Sequence, residues 1–358
     1  MITLFAATFI GGLITLPKLI GHFEKLEILD KPNWRSSHIR PTPSSGGISF
    51  IITLLVMATF LTHSTELIGV ILAALLLAIL GFVDDRKGLK PKLKFLFQFV
   101  GAEIIYFSGI SFNNLNGFLG FEEIDAVPSL ILTVLFIIAI INAYNLIDGV
   151  DGLAAGISAI ASLVFGVIFI LKSDYLFATF AFSFLGSLLA FLRFNFNPAK
   201  IFMGDVGSLF TGLLMAVFFI RIFSQHNIVH STVALSVILF PALDMVRLFI
   251  VRLLNKKSPF SADNNHYHHL LIKSGDSHKK VAISGYIIVG ADMVIGYIVS
   301  SYYNLTISLF LTVTLAFLMY VFISIKYYQL AKHKSNQIRK NIIKSRKVNF
   351  LLTQFNEK

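Results

Sequence analysis

Long apolar runs separated by short polar segments dominate the chain. An α-helix needs about 20 apolar residues to cross the hydrocarbon core of a bilayer, and most of the runs reach roughly that length. We therefore predict eleven membrane helices, near 2–21, 47–62, 67–83, 95–111, 129–147, 153–171, 175–192, 208–222, 229–254, 281–299 and 305–325. The second run is short and the ninth contains Pro241, so ten helices is the alternative.

Composition agrees with this pattern. Of 358 residues, 56% are apolar and 14% are charged, and the mean hydropathy is +0.78, far outside the range of soluble domains. The predicted fold class is all-α, a polytopic integral membrane protein. The chain has no cysteine, which excludes disulfides, thiol catalysis and cysteine-bound zinc.

Charge predicts the orientation. The segments 22–46, 84–94, 193–207, 253–280 and 326–358 all fall on one side and hold 25 of the 30 Lys and Arg residues. By the positive-inside rule this side is cytoplasmic, which puts the N-terminus outside and the C-terminus inside. The net charge of +11 is then explained by cytoplasmic loops and a basic tail beside anionic lipids, and no nucleic-acid partner is predicted. The first run lacks the features of a signal peptide and is predicted to be a retained helix.

Three polar clusters with carboxylates adjoin the apolar runs on this cytoplasmic side. They are Asp84-Asp85, the stretch 142–152 and the stretch 204–208. A carboxylate inside a membrane helix costs about 2.5 to 3.5 kcal/mol, so such residues usually mark a functional site. The convergence of three clusters predicts an active site at the membrane surface, and the simpler alternative is a set of solvated helix ends and caps.

The spacing within the clusters indicates phosphate chemistry. Asn142, Asn145 and Asp148 recur every third residue, so they lie within about 120° of one another at the end of the fifth helix. Asp205 suits Mg²⁺, which takes one or two protein carboxylates and completes its shell with water and phosphate oxygens. We expect Ser208 to cap the eighth helix, whose free N–H groups would favour a phosphate. Together these features imply a diphosphate substrate.

The loop 253–280 carries His266, His268 and His269 within four residues. Contact with a phosphate or sugar, a zinc site and a solvent-exposed loop all remain open for these side chains. Arg247 and Arg252 lie toward the inner end of the ninth helix, where they could hold phosphates or extend to the membrane surface.

In order along the chain, these motifs resemble the polyprenyl-phosphate N-acetylhexosamine-1-phosphate transferases, membrane enzymes that start bacterial cell-envelope glycans. The resemblance runs from about residue 30 to residue 270. It is carried by Asp30-Lys-Pro-Asn-x-Arg35-x-x-His38, Pro41-Thr-Pro43-x-x-Gly46-Gly47, Gly81-Phe-x-Asp84-Asp85, the stretch 142–153, Phe194-Asn195-x-x-Pro198-Ala199, Phe202-Met203-Gly204-Asp205-x-Gly207-Ser208 and the histidine loop.

The resemblance implies transfer of a sugar 1-phosphate from a UDP-sugar to undecaprenyl phosphate, with release of UMP and a requirement for Mg²⁺, with Mn²⁺ as the alternative cation. It implies that Asp205 is the metal ligand. The implied catalytic residues are Asp84, Asp85, Asp148, His268 and His269. It also implies substrate binding by Asn145, Asp151, Asn195, Phe202 and His266, with Phe202 stacked on uracil. From their positions in the sequence we expect Asn142 and Arg247 to bind substrate as well.

Smaller differences favour the branch that uses UDP-GlcNAc or a related 2-acetamido sugar. They are the pattern Asp263-x-x-His266-x-His268-His269 and the run Asp85-Arg86-Lys87. The pentapeptide translocases of the same family are the alternative, and an ion or lipid transporter using the same acids is the alternative of a different class. We predict a transmembrane catalytic domain at 1–325, a cytoplasmic tail at 326–358, a bacterial inner-membrane location and the possibility of a homodimer.

Overall fold

A computed structural model describes residues 1–30, 41–60, 64–225, 227–256 and 267–356. Its helices are α1 Ile2–Lys25, α2 Ile51–Ala58, α3 Thr65–Lys87, α4 Pro91–Phe107, α5 Ala126–Ile147, α6 Leu153–Leu171, α7 Tyr175–Asn195, α8 Gly204–Phe223, α9 Ile228–Leu254, α10 Tyr267–Ser274, α11 His278–Ser300 and α12 Leu305–Asn356. A short 3₁₀ helix, Gly46–Phe50, leads into α2. The all-α, polytopic fold class is confirmed.

Each of the eleven predicted segments contains helix in its described residues, but the helices do not all reach across a membrane. Within the described ranges, nine helices are long and apolar enough to do so: α1, α3, α5, α6, α7, α8, α9, α11 and the part of α12 up to Leu330. The second predicted helix is a 3₁₀ turn followed by the 8 residues of α2, and at about 1.5 to 2 Å per residue it is too short to cross. α4 has 17 residues, and it begins and ends four residues earlier than predicted.

Two small antiparallel hairpins were not predicted. Strand β1, Leu29–Asp30, pairs with β2, Thr42–Pro43, and β3, Asn114–Phe118, pairs with β4, Phe121–Glu123. These strands have 2, 2, 5 and 3 residues, too few to show an alternating apolar pattern.

Helix α8 is the centre of the bundle. Its most apolar stretch is 94% buried, and it packs against α3, α5, α6 and α9. Phenylalanine rings fill the surrounding core in tilted and edge-to-face pairs, which aromatic rings prefer. Phe218 of α8, for example, contacts Phe165, Phe169 and Phe180 with ring centroids 5.4 to 5.9 Å apart. The position of α8 is therefore fixed by the four helices that pack around it.

The two ends of the bundle carry different polar groups. At the end where α8 finishes, Arg221 donates to Glu66 of α3 at 2.7 Å and to Asp174, at the start of α7, at 2.8 Å. At the other end, α1, α3, α5 and α7 finish and α6 and α8 begin around one cavity. Helix α12 continues without a break to Asn356, so the predicted domain boundary after residue 325 stays a prediction.

Candidate active site

The cavity between these helix ends has a volume of about 920 Å³. Each of the three acidic clusters contributes to it. It is lined by Leu26, Glu27, Ile28, Leu29, Asp30, Ser44, Asp85, Arg86, Asn145, Asp148, Gly149, Val150, Asp151, Asn195, Phe202, Gly204 and Asp205. Residues that lie about 60 positions apart in the sequence thus meet around a single polar space.

Asp85 joins the end of α3 to the start of α8. Its Oδ1 atom accepts the backbone N–H of Asp205 at 2.8 Å, and its Oδ2 atom accepts the hydroxyl of Ser45 at 2.7 Å. A carboxylate at the first turn satisfies a free N–H group and the positive end of the helix. The prediction that Ser208 caps this helix is wrong, because α8 begins four residues earlier and Asp85 supplies a capping acceptor from another helix.

Lys94 of α4 bridges Asp205 and Asp84. Its Nζ atom lies 2.8 Å from Oδ2 of Asp205 and also forms an ion pair with Oδ2 of Asp84. Asp84 is buried, and its Oδ1 atom accepts the backbone N–H of Leu89 at 2.6 Å. Asp84 therefore lies behind the cavity wall and holds Lys94, whereas Asp85 and Asp205 line the cavity itself.

The two asparagines at the end of α5 have different surroundings. Asn145 donates from Nδ2 to Oδ1 of Asp205 and to Oγ of Ser208, both at 2.8 Å, and it lines the cavity. Asn142, one turn earlier, donates to the buried side chain of Gln98 at 2.9 Å and is not among the lining residues. Asn145 thus orients the carboxylate of Asp205, while Asn142 joins α5 to α4.

Asp148 lies in the turn that follows α5. Burial raises the pKa of this carboxyl well above its usual range, and the negative charges of Asp205 and Asp85 raise it further. The first cause is loss of water around the charge, and the second is repulsion between acids that line one cavity. A site that concentrates negative charge in this way is suited to a divalent cation.

Asp151, three residues later, is held by the protein on both oxygens. Asn197 Nδ2 and the backbone N–H of Ala199 donate to Oδ2 at 2.8 and 3.1 Å, and His278 lies 3.2 Å from Oδ1. Burial alone would raise the pKa of Asp151, but the hydrogen bonds and the charge of His278 together lower it below its ordinary value. The lowered pKa favours the ionised form of Asp151.

Backbone hydrogen bonds fix the other wall of the cavity. Asn195, which is buried, accepts the N–H of Gly152 at 3.0 Å and donates to the carbonyl of Ile201 at 2.9 Å. The N–H of Phe202 donates to Pro43 and the carbonyl of Phe202 accepts the N–H of Gly46, at 2.8 and 2.9 Å. The ring of Phe202 is therefore carried on a segment that the proline and glycine motif at 43–47 holds in place.

The oxygen donors at the cavity fit a hard divalent cation. Mg²⁺ takes one or two carboxylates in sites that also bind phosphates, and Asp205 presents such a carboxylate. A positive group, the ammonium of Lys94, already lies beside Oδ2 of Asp205. Within the described ranges there is no group of three or more His, Asp or Glu side chains with metal-binding geometry.

Some predicted site residues lie elsewhere. Arg247, on α9, is 3.5 Å from Asp244 and does not line the cavity. Asp244 is fully buried and accepts the hydroxyl of Tyr320 and the backbone N–H of Tyr267. His266 and the side chains of His268 and His269 lie outside the described residues. The predicted roles of these residues stay predictions.

Several residues of the site could not be recognised from the sequence. Lys94 lies ten residues after Asp84, and in the sequence it is one of several basic residues in a loop. Ser45, Asn197 and His278 gave no signal, because each acts by contacting a residue that is distant in the sequence. The segment 26–30 lines the cavity as well, and only its last residue belonged to a recognised motif.

Comparison with known proteins points to one family. The profile described as glycosyl transferase family 4 matches residues 67–223. A decaprenyl-phosphate N-acetylglucosaminephosphotransferase of Mycolicibacterium smegmatis is 34% identical over 292 residues, 72% of each chain. Its counterpart from Mycobacterium leprae is 32% identical over 324 residues, 81% of this chain and 79% of the relative. A probable undecaprenyl-phosphate N-acetylglucosaminyl 1-phosphate transferase of Bacillus subtilis is 29% identical over 268 residues, 74% and 75% of the two chains.

Proposed function

Because the chain belongs to glycosyl transferase family 4, we propose that it transfers N-acetylglucosamine 1-phosphate from UDP-GlcNAc to a polyprenyl phosphate in the membrane and releases UMP. The observation that carries the proposal is the 920 Å³ cavity in which Asp85, Asp148 and Asp205 meet at one end of the helical bundle. The ends of membrane helices lie at the membrane surface, where both a water-soluble nucleotide and the phosphate group of a membrane lipid can reach the site.

The relatives support the choice of sugar and lipid. Their names specify N-acetylglucosamine as the transferred group and an undecaprenyl or decaprenyl phosphate as the acceptor. This agrees with the branch that the sequence analysis favoured. We assign undecaprenyl phosphate as the acceptor, and the predicted cytoplasmic side of the bacterial inner membrane as the face where the donor arrives.

Mg²⁺ is the proposed cofactor. Asp205 would hold it, and when bound it would neutralise charge on the donor diphosphate. Lys94 pairs with Asp205 and Asp84. If Mg²⁺ binds to Asp205 instead, the ammonium group of Lys94 would be free to contact phosphate oxygens of the substrate. Asn145 fixes the orientation of the Asp205 carboxylate.

We favour direct attack over a covalent aspartyl intermediate. An oxygen of the acceptor phosphate attacks the β-phosphorus of the donor, the bond to the bridging oxygen breaks, and its electron pair leaves with UMP. The second pKa of a phosphate monoester is about 6, so the acceptor is largely dianionic at neutral pH and needs no strong base. Asp84, which faces Lys94 and the Leu89 N–H, is then a positioning residue.

The test is a transfer assay with purified protein, undecaprenyl phosphate, Mg²⁺ and a panel of UDP-sugars, followed by the mass of the lipid product. We expect UMP release only when both substrates are present, and a product from UDP-GlcNAc. Asp205→Asn should abolish turnover at every Mg²⁺ concentration, whereas Asp84→Asn should retain a residual rate. A product from UDP-MurNAc-pentapeptide alone would overturn the choice of sugar, and lipid movement without UMP would favour a transporter.

A further inference from the structure

Helix α11 reaches the donor side of the cavity although none of its residues was predicted to act there. It packs against α6, α9 and α12, and its first residue, His278, lies beside the turn that joins α5 to α6. That turn carries Asp148 and Asp151, both of which line the cavity. Two separate contacts tie α11 to this turn.

The first contact joins His278 to Asp151. One ring nitrogen, Nδ1, lies 3.2 Å from Oδ1 of Asp151 and accepts the backbone N–H of the same residue at 3.3 Å. A neutral ring with a free Nδ1 accepts from the N–H, and a protonated ring donates to the carboxylate. Nδ1 of His278 thus lies within hydrogen-bonding distance of both the side chain and the backbone of Asp151.

The second contact joins Tyr286 to Gly152. The hydroxyl of Tyr286, two turns into α11, donates to the carbonyl of Gly152 at 2.6 Å. A Cβ atom on Gly156 would overlap the Tyr286 ring, so α6 leaves room for this side chain only because residue 156 is a glycine. Gly152 has a φ of +78°, which favours glycine, and its N–H is held by Asn195. Gly152 is thus held at its carbonyl by Tyr286 and at its N–H by Asn195.

We propose that His278 and Tyr286 form a brace that positions the turn 148–152 for binding of the nucleotide donor. The inference rests on the proposed function, since it assigns the donor to the side of the cavity lined by this turn. The carboxylate of Asp151 has its Oδ2 atom held by Asn197 and Ala199, and among the residues that the structure describes His278 is the one that contacts its Oδ1 atom. His278 and Tyr286 are positioning residues and not catalytic ones.

This brace predicts an effect on one substrate only. The groups assigned to phosphate transfer, Asp205 and Lys94, lie on α8 and α4 and are held to each other and to Asp84. The brace acts instead on the turn after α5. Loss of the brace should therefore raise the KM for the UDP-sugar and leave the KM for the lipid phosphate nearly unchanged.

The experiment measures the initial rate of UMP release while each substrate is varied in turn. We expect His278→Ala to raise the donor KM about tenfold, because a hydrogen bond to a charged group contributes at about this level. His278→Asn keeps a side-chain nitrogen bonded to Cγ and should return the donor KM to within about threefold of the original. Tyr286→Phe, which keeps the ring, should raise the donor KM by about three- to tenfold.

Lys279→Ala and Tyr297→Phe are matched controls, because both side chains are exposed on the same helix, and we expect neither to change the donor KM. Equal increases in both KM values for His278→Ala and Tyr286→Phe would overturn the brace, and so would unchanged donor KM values. An unmodified protein that releases no UMP with any donor would instead refute the proposed function. Direct titration of UDP-GlcNAc without acceptor gives a second measure of the donor effect.

Discussion

Asp148 is a carboxyl group whose ionised form its surroundings disfavour. It lies half-buried in the turn after α5, and burial and the charges of Asp205 and Asp85 raise its pKa. Between the unfolded pKa of about 3.9 and the raised pKa of the folded state, stability falls as the pH rises, because the unfolded chain loses this proton first. Asp151, in the same turn, has a lowered pKa and the opposite dependence.

We therefore predict that Asp148→Asn raises the unfolding temperature of the metal-free protein at pH 7.5 by about 2 °C or more. The increase in unfolding temperature should be smaller at pH 5, because a smaller fraction of these carboxyl groups is ionised there and they repel one another less. Thermal unfolding in detergent with EDTA measures it. Transfer activity should fall in the same variant.

Asp151→Asn is the matched comparison and should lower the unfolding temperature at pH 7.5. The stability contributed by its lowered pKa is present above about pH 3.9 and is lost as the pH falls through the folded pKa. A lower unfolding temperature for Asp148→Asn at pH 7.5 would contradict the assigned repulsion.

How far single residues can be predicted from the sequence depends on how unusual they are. Asp85, Asp148 and Asp205 were identifiable because a carboxylate beside a membrane segment is costly and therefore rare. Lys94 and His278 were not, because lysine and histidine are ordinary on the positively charged side of a membrane protein. Their partners, Asp205 and Asp151, lie 111 and 127 residues away, and only the folded structure reveals such pairs.

At the level of helices, glycines decide how closely α8 approaches its neighbours. A Cβ atom on Gly81 of α3 would lie 2.5 Å from the carbonyl carbon of Asp205, and one on Gly47 would overlap Gly207. The backbone of α8 thus touches α3 and the 3₁₀ helix Gly46–Phe50 directly. This close approach brings the N–H of Asp205 within hydrogen-bonding distance of Asp85.

We predict that Gly81→Ala pushes α3 away from α8 and lowers both the unfolding temperature and the transfer rate. Overpacking of this kind costs about 1 to 3 kcal/mol, and the atoms that would be overlapped belong to backbone, which cannot move aside as a side chain can. Thermal unfolding and UMP release measure the two effects.

Gly290→Ala is the control, because a Cβ atom there meets no atom within 4 Å, and alanine favours a helix over glycine. It should leave the transfer rate unchanged. Gly81→Ala with unaltered stability and rate would refute the close packing of α3 and α8.

The existence of the helices was predictable, but their ends at the site were not. Apolar runs located the membrane part of each of the eleven segments to within a few residues, since hydropathy is a property of each helix alone, but they did not show that α12 continues to Asn356. The start of α8 was placed at residue 208 because the polar residues 204–207 looked like a loop, yet Asp85 from α3 allows the helix to begin at Gly204. Helix ends that are completed by another helix cannot be located from local sequence.

For the whole molecule, the distribution of charge separates two ends with different tasks. The end that bears the cavity also bears most of the lysines and arginines, and the other end carries the Glu66–Arg221–Asp174 network and the acidic hairpin β3–β4. If the cavity receives a cytoplasmic nucleotide, it must face the cytoplasm, which is also what the positive-inside rule predicts. The orientation therefore tests the function and the topology at once.

The absence of cysteine from the chain makes this orientation measurable with single substitutions. Glu122, in the hairpin, and Lys87, at the end of α3, are both exposed, so Glu122→Cys and Lys87→Cys place one thiol at each end of the bundle. In cells whose outer layers are made permeable while the inner membrane stays intact, a membrane-impermeant maleimide should label Glu122→Cys. It should label Lys87→Cys only after the inner membrane is also permeabilised. The opposite pattern would place the cavity outside, where a UDP-sugar made in the cytoplasm could not reach it, and would exclude the proposed reaction.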